Sequence, residues 1–416
     1  LDREETQALG KSSVPRALVI GGSMSGLFAA ILLRRAGCEV DIYERAEVEL
    51  TGRGAGIVTH AEMRAVLVAA GCDPGGDLGV DIAGRRTLDR AGRLIGEHRC
   101  PQTLTSWDRV FRMLREKFPA AAYHLGKELV RVEQHGAGVA AHFADGSQAE
   151  GELLVGADGF RSTVRAQVLA GVRPVYAGYV AWRGLVDEGA LSGATHADIF
   201  DAIVFGLPPG EQFISYPIAG PDNDLRAGHR RCNFVWYRPA AEASELKRLL
   251  TDASGRTHTL GIPPTLVRAD VIADLRAAAR ALIAPQLDEV VSLTPQPFLQ
   301  PICDVESPQM AVGRIAILGD AAYLASPHVA AGVTKAAEDA MELATALQSG
   351  DNVESALRQF ERARIPANRR VIERGRELGA CLQPHFATEE ERIKAKLHHT
   401  PAAVMAEIAV LDFLKE

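Results

Sequence analysis

Three stretches of this sequence carry residues whose types and spacing can hold an anionic cofactor or handle a proton. The first, Gly21-Gly22-Ser23-Met24-Ser25-Gly26, follows the apolar run Ala17–Ile20 and opens a segment of helical period that stops at Gly37. Strand, glycine turn and helix in that order aim backbone N–H groups and a helix N-terminus at one point, which suits a pyrophosphate. Gly21 makes the sharp exit from the strand, and Gly26 lets the helix lie close to the sheet. Glu44 ends a second strand, Val40–Glu44, about 20 residues on, where a carboxylate accepts hydrogen bonds from a ribose. Arg45 beside it is counted with the cofactor residues. Ser23 replaces the middle glycine of G-x-G-x-x-G, so a Cβ must fit against the phosphate, and its hydroxyl can donate to that phosphate.

The second stretch, Gly156-Ala157-Asp158-Gly159-Phe160-Arg161-Ser162-Thr163-Val164-Arg165, follows directly on a buried strand. The third joins Gly319-Asp320-Ala321-Ala322, after the strand Arg314–Leu318, to Pro327-His328-Val329-Ala330-Ala331-Gly332 and a helix over Val333–Leu347. An Asp at the C-terminal end of a strand among small residues, as at Asp158 and Asp320, reaches a cofactor hydroxyl without steric conflict. The glycine turn alone does not separate FAD from NAD. A nicotinamide dehydrogenase shares that turn but not the later Gly-Asp motif.

The elements that must position these motifs read as an α/β nucleotide-binding layer interrupted by a β-rich insert, with helices at the end. The chain divides into a first part of the nucleotide-binding layer (14–174), a β-rich insert (175–285), a second part of the nucleotide-binding layer (286–350) and a C-terminal helical segment (351–416). Leu129–Gln134 and Val139–Phe143 read as a hairpin. Gln212–Tyr216 and Arg231–Tyr237 alternate as in an antiparallel sheet with one buried face. Helical segments follow around Glu242–Leu250 and Val271–Ile283. A glycine-rich loop carries Gly52, Gly54 and Gly56.

Composition removes other classes. A net charge of -7 leaves no basic footprint for nucleic acid or an anionic membrane. The six cysteines are scattered without a Cys-x-x-Cys pair, and the twelve histidines lack His-x-x-x-His spacing, so neither a disulfide framework nor a metal is implied. Leu1–Ser13 is polar, unlike a signal peptide, and no apolar run approaches the roughly 18 residues of a membrane span. A cytoplasmic enzyme is the expectation.

Taken together, the three motifs resemble the group A flavoprotein aromatic hydroxylases, the para-hydroxybenzoate hydroxylase-like family, from Ala17 to about Leu347. Tyr176-Ala177-Gly178-Tyr179-Val180-Ala181-Trp182-Arg183-Gly184, Ala55-Gly56-Ile57-Val58 and Pro327-His328-Val329-Ala330-Ala331-Gly332 are similar to members that act on pyridines. The resemblance implies a tightly bound FAD in a discontinuous Rossmann-like domain, NADH or NADPH as a transient co-substrate, and a homodimer. It also implies hydroxylation, through a flavin C4a-hydroperoxide, of a small electron-rich ring such as 2,6-dihydroxypyridine. Another phenol or N-heterocycle is the alternative substrate, and a non-hydroxylating flavin oxidoreductase the alternative activity. Asp320 matches the residue that binds the ribityl chain. Gly319, Gly332, Val333 and Thr334 would border the flavin, the helix N-terminus favouring negative charge at N1 and C2=O.

His328 precedes that helix and is the candidate for proton handling or substrate orientation, since an imidazole of near-neutral pKa suits the task. Tyr216, on a strand of the insert, is the candidate partner for a substrate hydroxyl. Trp182 and Arg183 read mainly as structural, Tyr323 as a weak candidate, and Glu389–Lys396 as a solvated face. Two positions depart from the family: Ser106 stands where an Arg usually opens the helix at Trp107, and Ala330 where a Gly follows Pro-x-x. A flavin-dependent halogenase would show Trp-x-Trp-x-Ile-Pro, which is missing. A non-catalytic FAD-dependent interaction protein would bind FAD without turning over NAD(P)H.

Overall fold

Apolar strands covered on both faces sit in the middle of parallel sheets, and Arg16–Ile20 is such a strand. It pairs in parallel with Glu39–Tyr43 on one side and Leu153–Gly156 on the other. Ile315–Ile317 continues the sheet beyond Leu153–Gly156, also in parallel, while Ala311–Val312 and Tyr123–His124 close its two edges. The computed structural model describes residues 15–51, 56–136, 138–383, 386 and 388–414. Leu1–Ser13, Gly52, Gly54 and Ala55 lie outside them. Helices Met24–Arg35 and Gly332–Ser349 pack on each other, and Leu27, Phe28 and Leu343 share one core with Leu18 and Leu154. The fold is mixed α/β with a Rossmann-like layer.

A second sheet has nine strands. From one edge, Tyr323–Leu324, Phe298–Glu306, Val175–Asp187, Arg231–Pro239 and Gln212–Ile218 are followed by Ala202–Gly206, Val80–Leu88, Leu94–Ser106 and Gly56–Val58. The β-rich layer is therefore assembled from separate stretches of chain and reaches beyond the 175–285 insert expected from sequence. The link is the parallel pairing of Ala202–Gly206 with Val80–Leu88. Leu94–Ser106 is mostly exposed for its first half, so no alternation of apolar residues announced it.

The expectation of one buried face is also corrected. Phe213, Phe234 and Trp236 pack beneath helices Ala269–Leu282 and Pro285–Leu293, whereas Ile214, Tyr216, Val235 and Tyr237 join a separate cluster on the opposite face. Both faces are covered, so nearly every side chain along these strands is buried rather than every second one. The expected hairpin is present, Leu129–His135 against Gly138–Phe143, with Gln148–Gly151 as its third strand.

The chain end returns to the middle of the molecule. After the long helix Val353–Gly379, the helix Pro401–Glu407 runs into residues held by buried Arg85, whose guanidinium donates to Met405 O (2.8 Å) and Ile408 O (2.6 Å). The Ala409 N–H donates to His328 O at 2.9 Å, so this end forms part of the central cavity wall. Among the described residues no helix is long and apolar enough to cross a membrane.

Candidate active site

The three motifs converge at the C-terminal ends of adjacent strands of the parallel sheet. Gly21 has φ +101°, and a Cβ there would stand 2.5 Å from Ala157 O. A Cβ on Gly26 would collide with the Gly21 carbonyl, so the helix approaches the turn as closely as a backbone can. Gly22 N–H donates to Glu44 at 2.8 Å, Ala46 N–H to the same carboxylate at 2.9 Å, and Tyr123 OH to Gly22 O at 2.9 Å. Glu44 thus braces the turn as well as facing it. Ser23 is the helix N-cap, yet its hydroxyl makes no capping bond, and the first turn, with Met24 and Ser25, carries no acid. These donors are left for a ligand.

Asp158 accepts from Thr163 N–H (2.7 Å), Val164 N–H (3.1 Å) and the Ser162 hydroxyl. Burial pushes its pKa up and these donors pull it back. Its carboxylate holds the start of helix Thr163–Val168, while Arg165 donates to Ala321 O at 2.8 Å and staples this motif to the next. Asp320 is different: no hydrogen bond reaches its carboxylate among the described residues, and it lines the cavity. Burial raises its pKa and the nearby Lys335 ammonium opposes that.

Beneath it, fully buried Asp339 accepts from Gly319 N–H (3.0 Å), Arg364 Nε (2.7 Å) and Asn368 Nδ2 (3.1 Å). Helix Gly332–Ser349 starts without a side-chain cap and without an acid in its first turn, leaving its amides at the cavity. Val333 also lines the cavity, whereas the Thr334 hydroxyl is occupied by His60 Nδ1 at 3.1 Å.

The cavity, about 720 Å³, lies between the parallel layer and the large sheet. Arg45, Asp320 and Gly332 border it from one side, and Ile203, Phe205, Ile214 and Val235 from the other. Residues 260–263 and 408–409 complete the wall. These loop residues and Tyr237 on the sheet were missed in the sequence, and Arg183, read there mainly as structural, lines the cavity as well. The alternation of Val175–Asp187 could have placed Arg183 on the face opposite Trp182, which is buried in the helix-side core.

His328 borders the same cavity but is only 1% exposed, with Nε2 2.9 Å from Tyr179 OH and its ring 4.6 Å from that of Tyr237. Burial lowers its pKa to about 3, so the near-neutral value expected from sequence is corrected: the imidazole is neutral at physiological pH. The unfolded chain, with His near about 6.5, binds a proton that the folded chain refuses, so stability falls as pH drops from about 6.5 toward 3. Urea midpoints measured from pH 7 to pH 4 are expected to fall more steeply for the wild type than for His328→Asn. Parallel curves would show that His328 does not carry this acid sensitivity.

Tyr216 lines the cavity with its OH donated to Gly56 O at 3.1 Å, and burial raises its pKa. Tyr323 is fully buried and donates to Ser307 O at 2.6 Å, a structural role. Ser106 caps the helix Trp107–Arg115, accepting from Arg109 N–H at 3.1 Å.

Comparison with known proteins decides what this architecture serves. The FAD binding domain family matches residues 15–185 and 303–375, and an FAD binding domain-like family matches 176–304. A 2,6-dihydroxypyridine 3-monooxygenase from Paenarthrobacter nicotinovorans is 32% identical, over 88% of this chain and 91% of that protein. The chain belongs to the FAD-dependent aromatic monooxygenases. A 3-amino-4-hydroxybenzoate 2-monooxygenase from Streptomyces cremeus is 28% identical over 91% of this chain and 92% of its own length. The solved 2,6-dihydroxypyridine-3-hydroxylase from Arthrobacter nicotinovorans superposes on this monooxygenase with a TM-score of 0.84 at 30% identity, covering 91% of this chain and 96% of that one. FAD is its cofactor, and the open donors of the glycine turn, the unengaged Asp320 carboxylate and the uncapped helix at Gly332 fit that group.

Proposed function

We propose that this monooxygenase uses NADH or NADPH and oxygen to hydroxylate a small hydroxylated ring, with 2,6-dihydroxypyridine the first candidate. The observation that carries the reading is the cavity itself. It places an apolar sheet face, a phenol and a guanidinium opposite the Asp320 turn and the open helix N-terminus. FAD, when bound, supplies the electrons taken from NAD(P)H and the activation of oxygen.

The chain's own residues hold, orient and exclude water. Gly21, Ser23, Met24, Ser25 and Gly26 bind the pyrophosphate through amides and the Ser23 hydroxyl. Glu44 and Arg45 take the ribose side, and Asp320 the ribityl hydroxyls. Asp158 acts indirectly, by fixing the second motif against the third. Gly332 and Val333 form the wall against which the flavin ring rests, with Gly319 and Thr334 behind them, and the helix N-terminus there favours negative charge. Tyr216, its hydrogen given to Gly56 O, offers its phenol oxygen to a ring hydroxyl. His328 works as a neutral imidazole coupled to Tyr179, a positioning group rather than a standing acid. The reading includes a homodimer in the cytoplasm.

The test is oxygen uptake by FAD-loaded protein with NADH or NADPH, with and without 2,6-dihydroxypyridine. Stimulated uptake with a hydroxylated product is expected. Uptake that rises without product would make the pyridine an effector only, and no rise would move the search to other phenols and N-heterocycles.

A further inference from the structure

The cavity face of the large sheet carries the phenols of Tyr216 and Tyr237 and the Gln300 amide among its apolar residues, and one charged side chain, Arg183. Phe205 pairs with Ile214, Ile214 with Val235, Val235 with Arg183, and Arg183 with Phe298, a row of directly opposed residues across five strands. All five line the cavity. Opposed residues in a sheet share a face, so Arg183 stands among hydrocarbon side chains in line with the site. Its guanidinium lies close enough to the phenols of Tyr216 and Tyr237 to lower the pKa of both against the upward push of burial. Its Nε has no hydrogen-bond partner, and Arg183 forms no ion pair among the described residues.

A half-buried cation in apolar surroundings without a counter-charge costs stability unless a ligand pairs with it. Among the described charged residues around the cavity, Arg45, Arg161, Arg183 and Lys335 are basic and Asp320 is acidic. Arg45 borders the dinucleotide side and Arg161 donates to Thr259 O at 3.1 Å. Lys335 belongs to the Asp320 and Asp339 cluster. Arg183 is left on the sheet that faces the substrate.

We propose that Arg183 is the specificity determinant that anchors the substrate through an anionic oxygen on the ring, with the Tyr237 phenol beside that oxygen and Tyr216, its hydrogen committed to Gly56 O, left to accept from a second, protonated ring hydroxyl. This rests on the hydroxylase reading above and narrows its substrate class to rings that bind as anions. A guanidinium suits the task because it stays charged at all working pH and directs parallel N–H groups at one or two oxygens. Bound in this way, a ring with a deprotonated hydroxyl is also more electron-rich.

The experiment uses FAD-loaded wild type, Arg183→Lys and Arg183→Met. Two probes are titrated by the change in flavin absorbance, 2,6-dihydroxypyridine for a ring oxygen and 6-hydroxynicotinate for a ring carboxylate. Turnover of each is measured on the same samples from pH 6 to pH 9. Arg183→Met is expected to weaken binding of the accepted probe about 30- to 100-fold, the value of a lost charge-assisted hydrogen bond in a dry site. FAD content should stay unchanged, and the melting temperature without ligand should hold or rise, since an uncompensated cation is removed. Arg183→Lys should restore part of the affinity. Wild-type binding of the pyridine should weaken as pH falls below the ring hydroxyl's own pKa, and Arg183→Met should lose that dependence, a change that a packing role would not produce.

If wild type binds a probe through Arg183 but forms no product, the hydroxylase reading fails and the anion anchor stands. If wild type forms product and Arg183→Met binds as tightly with the same pH profile, the anchor is overturned and the hydroxylase stands. Wild type that binds neither probe overturns the anchor too.

Discussion

A protein carrying Gly26→Val is expected to purify without FAD. Gly26 lies in the first turn of helix Met24–Arg35, and any Cβ there would collide with the Gly21 carbonyl oxygen. That oxygen cannot move aside. Gly21 is held at φ +101° with its own N–H donated to Tyr43 O at 2.9 Å, while Gly22 is tied to Glu44 and Tyr123. The helix must therefore retreat from the strand, taking its N-terminal amides with it. A displacement of an ångström spoils several charge-assisted hydrogen bonds at once, so an affinity loss of at least about 100-fold is expected. Gly193→Ala is the control: it starts helix Gly193–Ile199, and its added Cβ meets nothing within 4 Å. It should keep FAD and gain up to about 1 kcal/mol from the less flexible unfolded chain. The check is the flavin-to-protein absorbance ratio after gel filtration, and a yellow Gly26→Val protein with wild-type ratio would refute the argument.

Legibility followed the range over which each feature is specified. The glycine turn, Glu44 and the strands Arg16–Ile20 and Ile315–Ile317 are local, since a short apolar run ending in glycines has few other ways to fold. Helix Gly332–Ser349 was also readable from its period and its glycine start. The large sheet was only partly readable, because its membership depends on pairings between residues more than 100 positions apart, as between Val204 and Arg86. Leu94–Ser106 hides further because it is largely solvated.

The site divides in the same way. Backbone geometry at Gly21 and Gly26 could be inferred from residue type, but electrostatics could not. His328 looks like a proton carrier in sequence, and only the packing of Tyr179, Tyr237 and Gly379 around it shows why its charged form is excluded. Arg183 looks like one more strand arginine until its cross-strand neighbours prove apolar. The wall made by Ile408 and Ala409 is specified by Arg85, more than 300 residues earlier, through backbone carbonyls that no side-chain pattern records.

The same reasoning makes Asp339 the residue whose loss should cost the fold most. Its carboxylate is fully buried and is the shared acceptor for Gly319 N–H, Arg364 Nε and Asn368 Nδ2, with the Lys335 ammonium 3.9 Å away. Asp339→Ala removes the anion, leaves the buried Lys335 and Arg364 cations with only Glu338, 3.2 Å from Arg364, and leaves two neutral donors facing a small void. Breaking one side of a buried ion pair typically costs about 3–5 kcal/mol, so a large drop in the urea midpoint is expected. FAD retention should fall as well, because Gly319 N–H is the tie that fixes the turn presenting Asp320. The two effects can be separated. Combining Asp339→Leu with Arg364→Met and Lys335→Met removes the fully buried charges at similar volume, leaving only the partly exposed Glu338 carboxylate, and such replacements often return much of the stability. The Gly319 tie stays absent in that triple variant, so it should melt closer to wild type and still lose FAD. If Asp339→Ala instead unfolds within about 1 kcal/mol of wild type, the cluster is not the anchor of the turn. If the triple variant regains FAD along with stability, Gly319 is fixed by packing rather than by the carboxylate beneath it.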